Sequence, residues 1–166
     1  TLFRSSDHKV IALINRADSD SCYHISKLDL TESNETYIFS LVSSTCTYLT
    51  SFNYTAGFKQ ELTSLKDFSV FSKINNNLIY LKFDWIKLDE NSILTIFEHC
   101  RKLVTLITPI PHVSFKHTAP CHISTSISSL RISGKLGNTG FDNIANLLPN
   151  LLELELFHCN NISSDG

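Results

Sequence analysis

No apolar stretch in the 166 residues approaches the roughly 18 to 20 needed to cross a bilayer, and nothing at the start has the charged, apolar, small-residue order of a secretion signal. No membrane span is therefore expected. No run of Lys or Arg is present either. Fourteen basic against sixteen acidic residues leave a formal charge of −2, which excludes the electrostatic footprint of a nucleic-acid binder or an anionic-membrane binder. The five cysteines, Cys22, Cys46, Cys100, Cys121 and Cys159, are odd in number and contain no Cys-x-x-Cys pair, which reads as a reduced chain of the cytoplasm or nucleus. Methionine is absent altogether. With a start at Thr1 and a finish at Ser164, Asp165 and Gly166 in the middle of a repeat, both ends are expected to be cut.

What is present is enough apolar residue to fold. At 42 % hydrophobic and 18 % charged, the chain lies outside the range of disordered sequences, and its length suits one compact domain or about six or seven repeats. An internal period decides between them. A triplet of the form L-x-x-L-x-L returns as Ile25, Leu28, Leu30; Leu49, Phe52, Tyr54; Leu78, Leu81, Phe83; Leu103, Leu106, Thr108; Ile127, Leu130, Ile132; and Leu151, Leu154, Leu156. Its middle members are spaced by 24, 29, 25, 24 and 24 residues.

The end of each triplet alternates in and out, as a short half-buried strand does. Between triplets the spacing becomes helical: Ile93, Ile96, Phe97 and Cys100 after the third, and Phe141, Ile144, Leu147 and Leu148 after the fifth. Asp89 and Asp142 stand near the starts of these segments as candidate caps. Phe58, Leu62, Leu65 and Phe68 predict a helix after the second strand; Val10, Leu13, Ile14 and Ala17 predict one before the first. Residues 1–21 are expected to form an N-terminal helix or partial repeat, and residues 22–166 about six repeats. Three buried aliphatics cannot offset the entropy of ordering some two dozen residues, so such units must stack on one another. The expected fold is α/β: a curved parallel sheet on the concave side, with helices on the convex side.

The stretch from Leu151 through Glu153, Glu155, Phe157, Cys159, Asn160, Asn161 and Ile162 to Asp165 and Gly166 resembles the cysteine-containing class of leucine-rich repeat. Ser163 and Ser164 stand where that class usually has one Thr. Leu148-Pro149-Asn150-Leu151 and His99-Cys100-Arg101-Lys102-Leu103 resemble its helix-to-strand joint. Cys22, Cys46 and Cys100 each lie three residues before the first member of a triplet, which predicts one shared structural slot. The class is best known from F-box proteins, so the resemblance implies a leucine-rich-repeat solenoid that recruits a protein substrate to an SCF-type ubiquitin ligase. A Skp-type adaptor and a cullin would then be reached through an F-box that residues 1–21 are too short to contain. Two alternatives stay open: an intracellular leucine-rich-repeat scaffold or regulator unconnected with ubiquitin, and a secreted ectodomain. Asn-x-Ser/Thr triplets at Asn34, Asn53 and Asn161 would carry glycans in the secreted case, although a chain this rich in Asn, Ser and Thr should hold about three by chance.

In a solenoid the residues alternating with the buried ones form the concave, partner-binding face. Tyr80, Lys82, Asp84, Trp85, Arg131, Glu153, Glu155 and Phe157 are the expected contacts there, because aromatic and arginine side chains dominate binding energy at interfaces. The competing reading makes them ordinary solvated positions, with Trp85 partly tucked into the convex packing. Glu153 and Glu155 share one side of a strand, yet no other catalytic group accompanies them, and a solvated or basic-partner-binding face is the better reading. His112, His117, Cys121 and His122 fall in one Pro-containing insert whose spacing matches no established zinc pattern. Cys159 beside His158 reads as a turn residue closing the spine and not as a nucleophile. Gly134, Gly137 and Gly140 read as a flexible turn, since no Gly-Lys-Ser/Thr follows. No enzyme activity, cofactor or metal is expected, and neither nucleic acid nor membrane as partner.

Overall fold

The computed structural model describes residues 2–5, 25–33, 42, 46–56, 76–84, 88, 90–110, 126–134 and 136–159. Its strands are β1 (Leu2–Ser5), β2 (Lys27–Ser33), β3 (Ser51–Ala56), β4 (Tyr80–Asp84), β5 (Thr105–Ile110), β6 (Ser129–Gly134) and β7 (Glu153–Phe157). Two helices are described, α1 (Glu90–His99) between β4 and β5 and α2 (Asn138–Leu147) between β6 and β7. The seven strands form one sheet in chain order, and every neighbouring pair is parallel. The fold is therefore α/β with a parallel sheet in which, among the described residues, each strand pairs with its neighbours in chain order.

The register carries the triplets from strand to strand without slipping. Leu28, Phe52, Leu81, Leu106, Leu130 and Leu154 are successive partners along one row. Their inner members are sealed: Phe52, Leu81 and Leu106 are fully buried, as are the first-row residues Leu49, Leu78, Leu103 and Ile127. A slip of one residue would turn each of these rows to the opposite face, so burial fixes the register. Helix α1 contributes Ile93, Ile96 and Phe97 to the same core cluster, and α2 contributes Ile144. Thr108, where the fourth triplet lacks an aliphatic, is buried like its neighbours in the row.

A backbone device repeats just ahead of each strand. The carbonyl of Ser26 accepts the N–H groups of both Thr50 and Ser51, at 2.8 and 3.0 Å. Thr50, Ile79, Val104 and Ser128 each do the same for the next strand. A buried or half-buried backbone donor is costly if unpaired, and this pairing satisfies two at every step. The joint before the strand also repeats. Leu49, Leu103 and Leu151 donate their N–H to the carbonyls of Cys46, Cys100 and Leu148, whose own N–H groups bond Val42, Ile96 and Ile144. Cys46 and Cys100 thus occupy one buried slot, and Leu148 fills it in the last step, with Pro149 one residue beyond.

Two expectations are corrected here. Asp142 is the fifth residue of α2 and exposed, so it caps nothing; the N-cap is Gly137, in extended backbone with no side-chain cap. The three glycines are not one turn: Gly134 ends β6, Gly137 caps α2, and Gly140 is buried inside the helix. The chain also has a strand, β1, ahead of the first triplet, with Phe3 in register with Leu28. The predicted helices at Val10–Ala17 and Phe58–Phe68, together with Cys22, Asp89 and the insert from His112 to His122, lie outside the described residues.

Candidate recognition surface

Alternation along each strand puts one set of side chains in the core and the other on the opposite, outward face. Across β2 to β7 the central outward row runs Asp29, Asn53, Lys82, Ile107, Arg131, Glu155. Flanking rows bring Tyr80 into line with Thr105, Ser129 and Glu153, and Phe157 beside Ser133. Residues far apart in sequence thus meet on one face because the register is uniform.

Seven of the eight predicted contacts are placed. Tyr80, Lys82 and Asp84 are half-buried on β4, while Arg131, Glu153, Glu155 and Phe157 are exposed on β6 and β7. Trp85 lies outside the described residues. On β4 the Lys82 ammonium sits 2.6 Å from Asp84 Oδ2, to which the Thr55 hydroxyl donates at 3.5 Å. One step back, Asn53 Nδ2 donates to Asp29 Oδ1 at 3.0 Å. The β4 side of the face is held by hydrogen bonds within and between strands, so its side chains are preset.

At the other end Arg131 Nε lies 2.5 Å from Glu155 Oε2, and the guanidinium stands over the Phe157 ring at 5.5 Å. The hydrogen bond that Arg131 donates to the Glu155 carboxylate holds the Arg131 pKa above its ordinary value, with a smaller coulombic contribution from the same residue. A planar guanidinium pinned edge-on by a carboxylate and stacked on an aromatic has lost much of its rotamer freedom before any partner arrives. The arrangement suits adhesion to another surface. It leaves Glu155 engaged, so Glu153 and Glu155 do not form the free carboxylate pair that acid–base chemistry uses.

Sequence reasoning missed an apolar rim. Ile79, Val104 and Leu152 are 47, 38 and 85 % exposed, each at the position just before a strand. The signal was available, since all three follow the first member of a triplet by one residue. Ile107 also lies half-buried in the central outward row, between Lys82 and Arg131. The Arg131–Glu155 pair spans one repeat step and is brought together by the register of β6 and β7.

Among the described cysteines, Cys46 and Cys100 are buried in the core. Burial pushes the Cys100 thiol up to about 12, which removes the thiolate that nucleophilic or redox chemistry requires. Cys159 is half-buried against the core cluster, its thiol 3.6 Å from the Phe157 carbonyl, and His158 before it takes the left-handed conformation at φ 56°. Among the described residues no group of three His, Cys, Asp or Glu side chains is placed to hold a metal ion, and no helix is long and apolar enough to cross a membrane. No family model matches the chain, and no curated protein matches its sequence.

Proposed function

We propose that the chain is a leucine-rich-repeat solenoid whose outward sheet face is the concave surface that binds a partner protein. More specifically, it is the substrate-recruiting region of an F-box protein working with an SCF-type ubiquitin ligase. The observation that carries the binding role is the Arg131–Glu155–Phe157 cluster, an arginine and an aromatic held together in the open on a rigid strand pair. Such anchors concentrate interface energy, and placement on strands rather than loops keeps them preorganised. Support for the repeat class is the cysteine slot before the strand, filled in the structure by Cys46 and Cys100. The ubiquitin connection rests on the resemblance of the final repeat.

Two experiments test the levels separately. Purification of the full-length protein from cells should bring down a Skp-type adaptor; its persistent absence removes the F-box reading and leaves the scaffold reading. Substituting Arg131→Ala together with Phe157→Ala should weaken capture of the protein's partners by about tenfold or more, with the circular dichroism spectrum unchanged. Undiminished capture removes this face as the binding surface.

A further inference from the structure

Between the apolar rim and the central outward row runs a row of hydroxyls. Ser51, Tyr80, Thr105 and Ser129 are successive register partners on β3 to β6, strands that each have a neighbour on both sides. All four residues are half-buried, and among the described residues none of their hydroxyls makes a hydrogen bond. A hydroxyl both donates and accepts. At the usual strand spacing the row spans about 14 Å, the length of about four extended residues. The N–H and C=O groups of an extended main chain lying along it would find partners of both kinds, whatever the side chains.

The two sides of the row differ, and that difference selects the side chains. On one side stand Ile79 and Val104, each directly before a member of the row and 47 and 38 % exposed. On the other stand Lys82 and Arg131, with Ile107 between them. Lys82 engages Asp84 and Arg131 engages Glu155, but an ammonium and a guanidinium each carry more N–H groups than one carboxylate takes up. An extended chain sends successive side chains to opposite sides. One lying along the row would therefore set alternate residues against aliphatic surface and against cations. Lys27 continues the row on β2, whereas Glu153 continues it on β7 with the opposite charge, so acidic side chains belong over β3 to β6.

We propose that the row seats an extended segment of the partner protein in which apolar and acidic residues alternate, the apolar ones toward Ile79 and Val104 and the acidic ones toward Lys82 and Arg131. The inference rests on the reading of this face as the partner-binding surface and supplies the partner's chemistry. The probe is a fluorescent peptide of about eight alternating valine and glutamate residues, titrated with the full-length protein and followed by anisotropy. It should bind about tenfold more tightly than a valine–lysine or a serine–glutamate counterpart. Lys82→Ala together with Arg131→Ala should weaken its binding by about tenfold and erase the preference for glutamate over lysine. Ile79→Ser together with Val104→Ser should weaken it to a similar degree and leave that preference in place, with the circular dichroism spectrum unchanged in both variants. Equal binding of the three peptides, tighter binding of the lysine peptide, or no effect of either variant pair overturns the proposal. Should the peptide fail while Arg131→Ala with Phe157→Ala still weakens capture of the protein's partners, the segment is wrong and the surface stands; should both fail, the surface itself is wrong.

Discussion

The inner strands β3 and β4 and the end strand β7 are built on the same triplet, yet they behave differently. In β3 and β4 the inward residues Phe52, Tyr54, Leu81 and Phe83 are sealed, with Phe52 stacked near Tyr54 at 6.3 Å and set edge-on to Phe83 at 6.4 Å. Their outward residues are half-buried and bonded to one another. In β7 Leu154 and Leu156 are only half-buried, and Glu153, Glu155 and Phe157 stand in the open. The motif supplies the apolar side chain, but a neighbour on each side is what buries it. Burial accordingly belongs to the interior of the ladder, and exposure to its end.

Truncating matched positions is the strongest way to break this comparison. Leu106→Ala, in a sealed site between β4 and β6, should cost about 3 to 4 kcal/mol, whereas Leu154→Ala at the end of the same row should cost about 1 to 2. Equal losses in chemical denaturation would mean that a neighbour on both sides contributes nothing. Next in size is the buried thiol. Cys100 keeps its proton up to about 12 in the folded chain, while an unfolded thiol releases its own near 9.0. Its contribution to stability is complete below pH 9 and is lost as pH rises toward 12, at about 1.4 kcal/mol per pH unit. The stability gap between the wild-type chain and Cys100→Ala should therefore narrow across that window, and a constant gap contradicts it. The smallest effect belongs to Lys82→Ala. Its ion pair with Asp84 is about one-third exposed, so the loss should be about 0.5 kcal/mol and vanish in 1 M salt.

Much of the frame was legible in the sequence because it is written in local spacing. The middle residues of all six triplets are register partners; Ile93, Ile96 and Phe97 lie on α1 and Phe141, Ile144 and Leu147 on α2, with Cys100 and Leu148 just past the helix ends. What escaped is non-local or context-bound. Leu148 in the cysteine slot could not be read from a cysteine pattern, because the slot asks only for a buried side chain of modest size. Asp142 has the right chemistry for a cap, but α2 begins four residues earlier than it. The Arg131–Glu155 contact bridges two strands and exists only once the register is known.

The doubly accepting carbonyls ahead of each strand impose a rule on variation. Thr50 and Ser51, Ile79 and Tyr80, Val104 and Thr105, Ser128 and Ser129, and Leu152 and Glu153 all contribute their amide hydrogens. Imino acids are barred from every one of these sites, whereas Pro109, further along β5, sits beside Ser133 without disturbing the pairing. The side chains at the ten barred sites stay free to change. A lineage can thus change the side chains at these positions freely, provided each keeps its amide hydrogen.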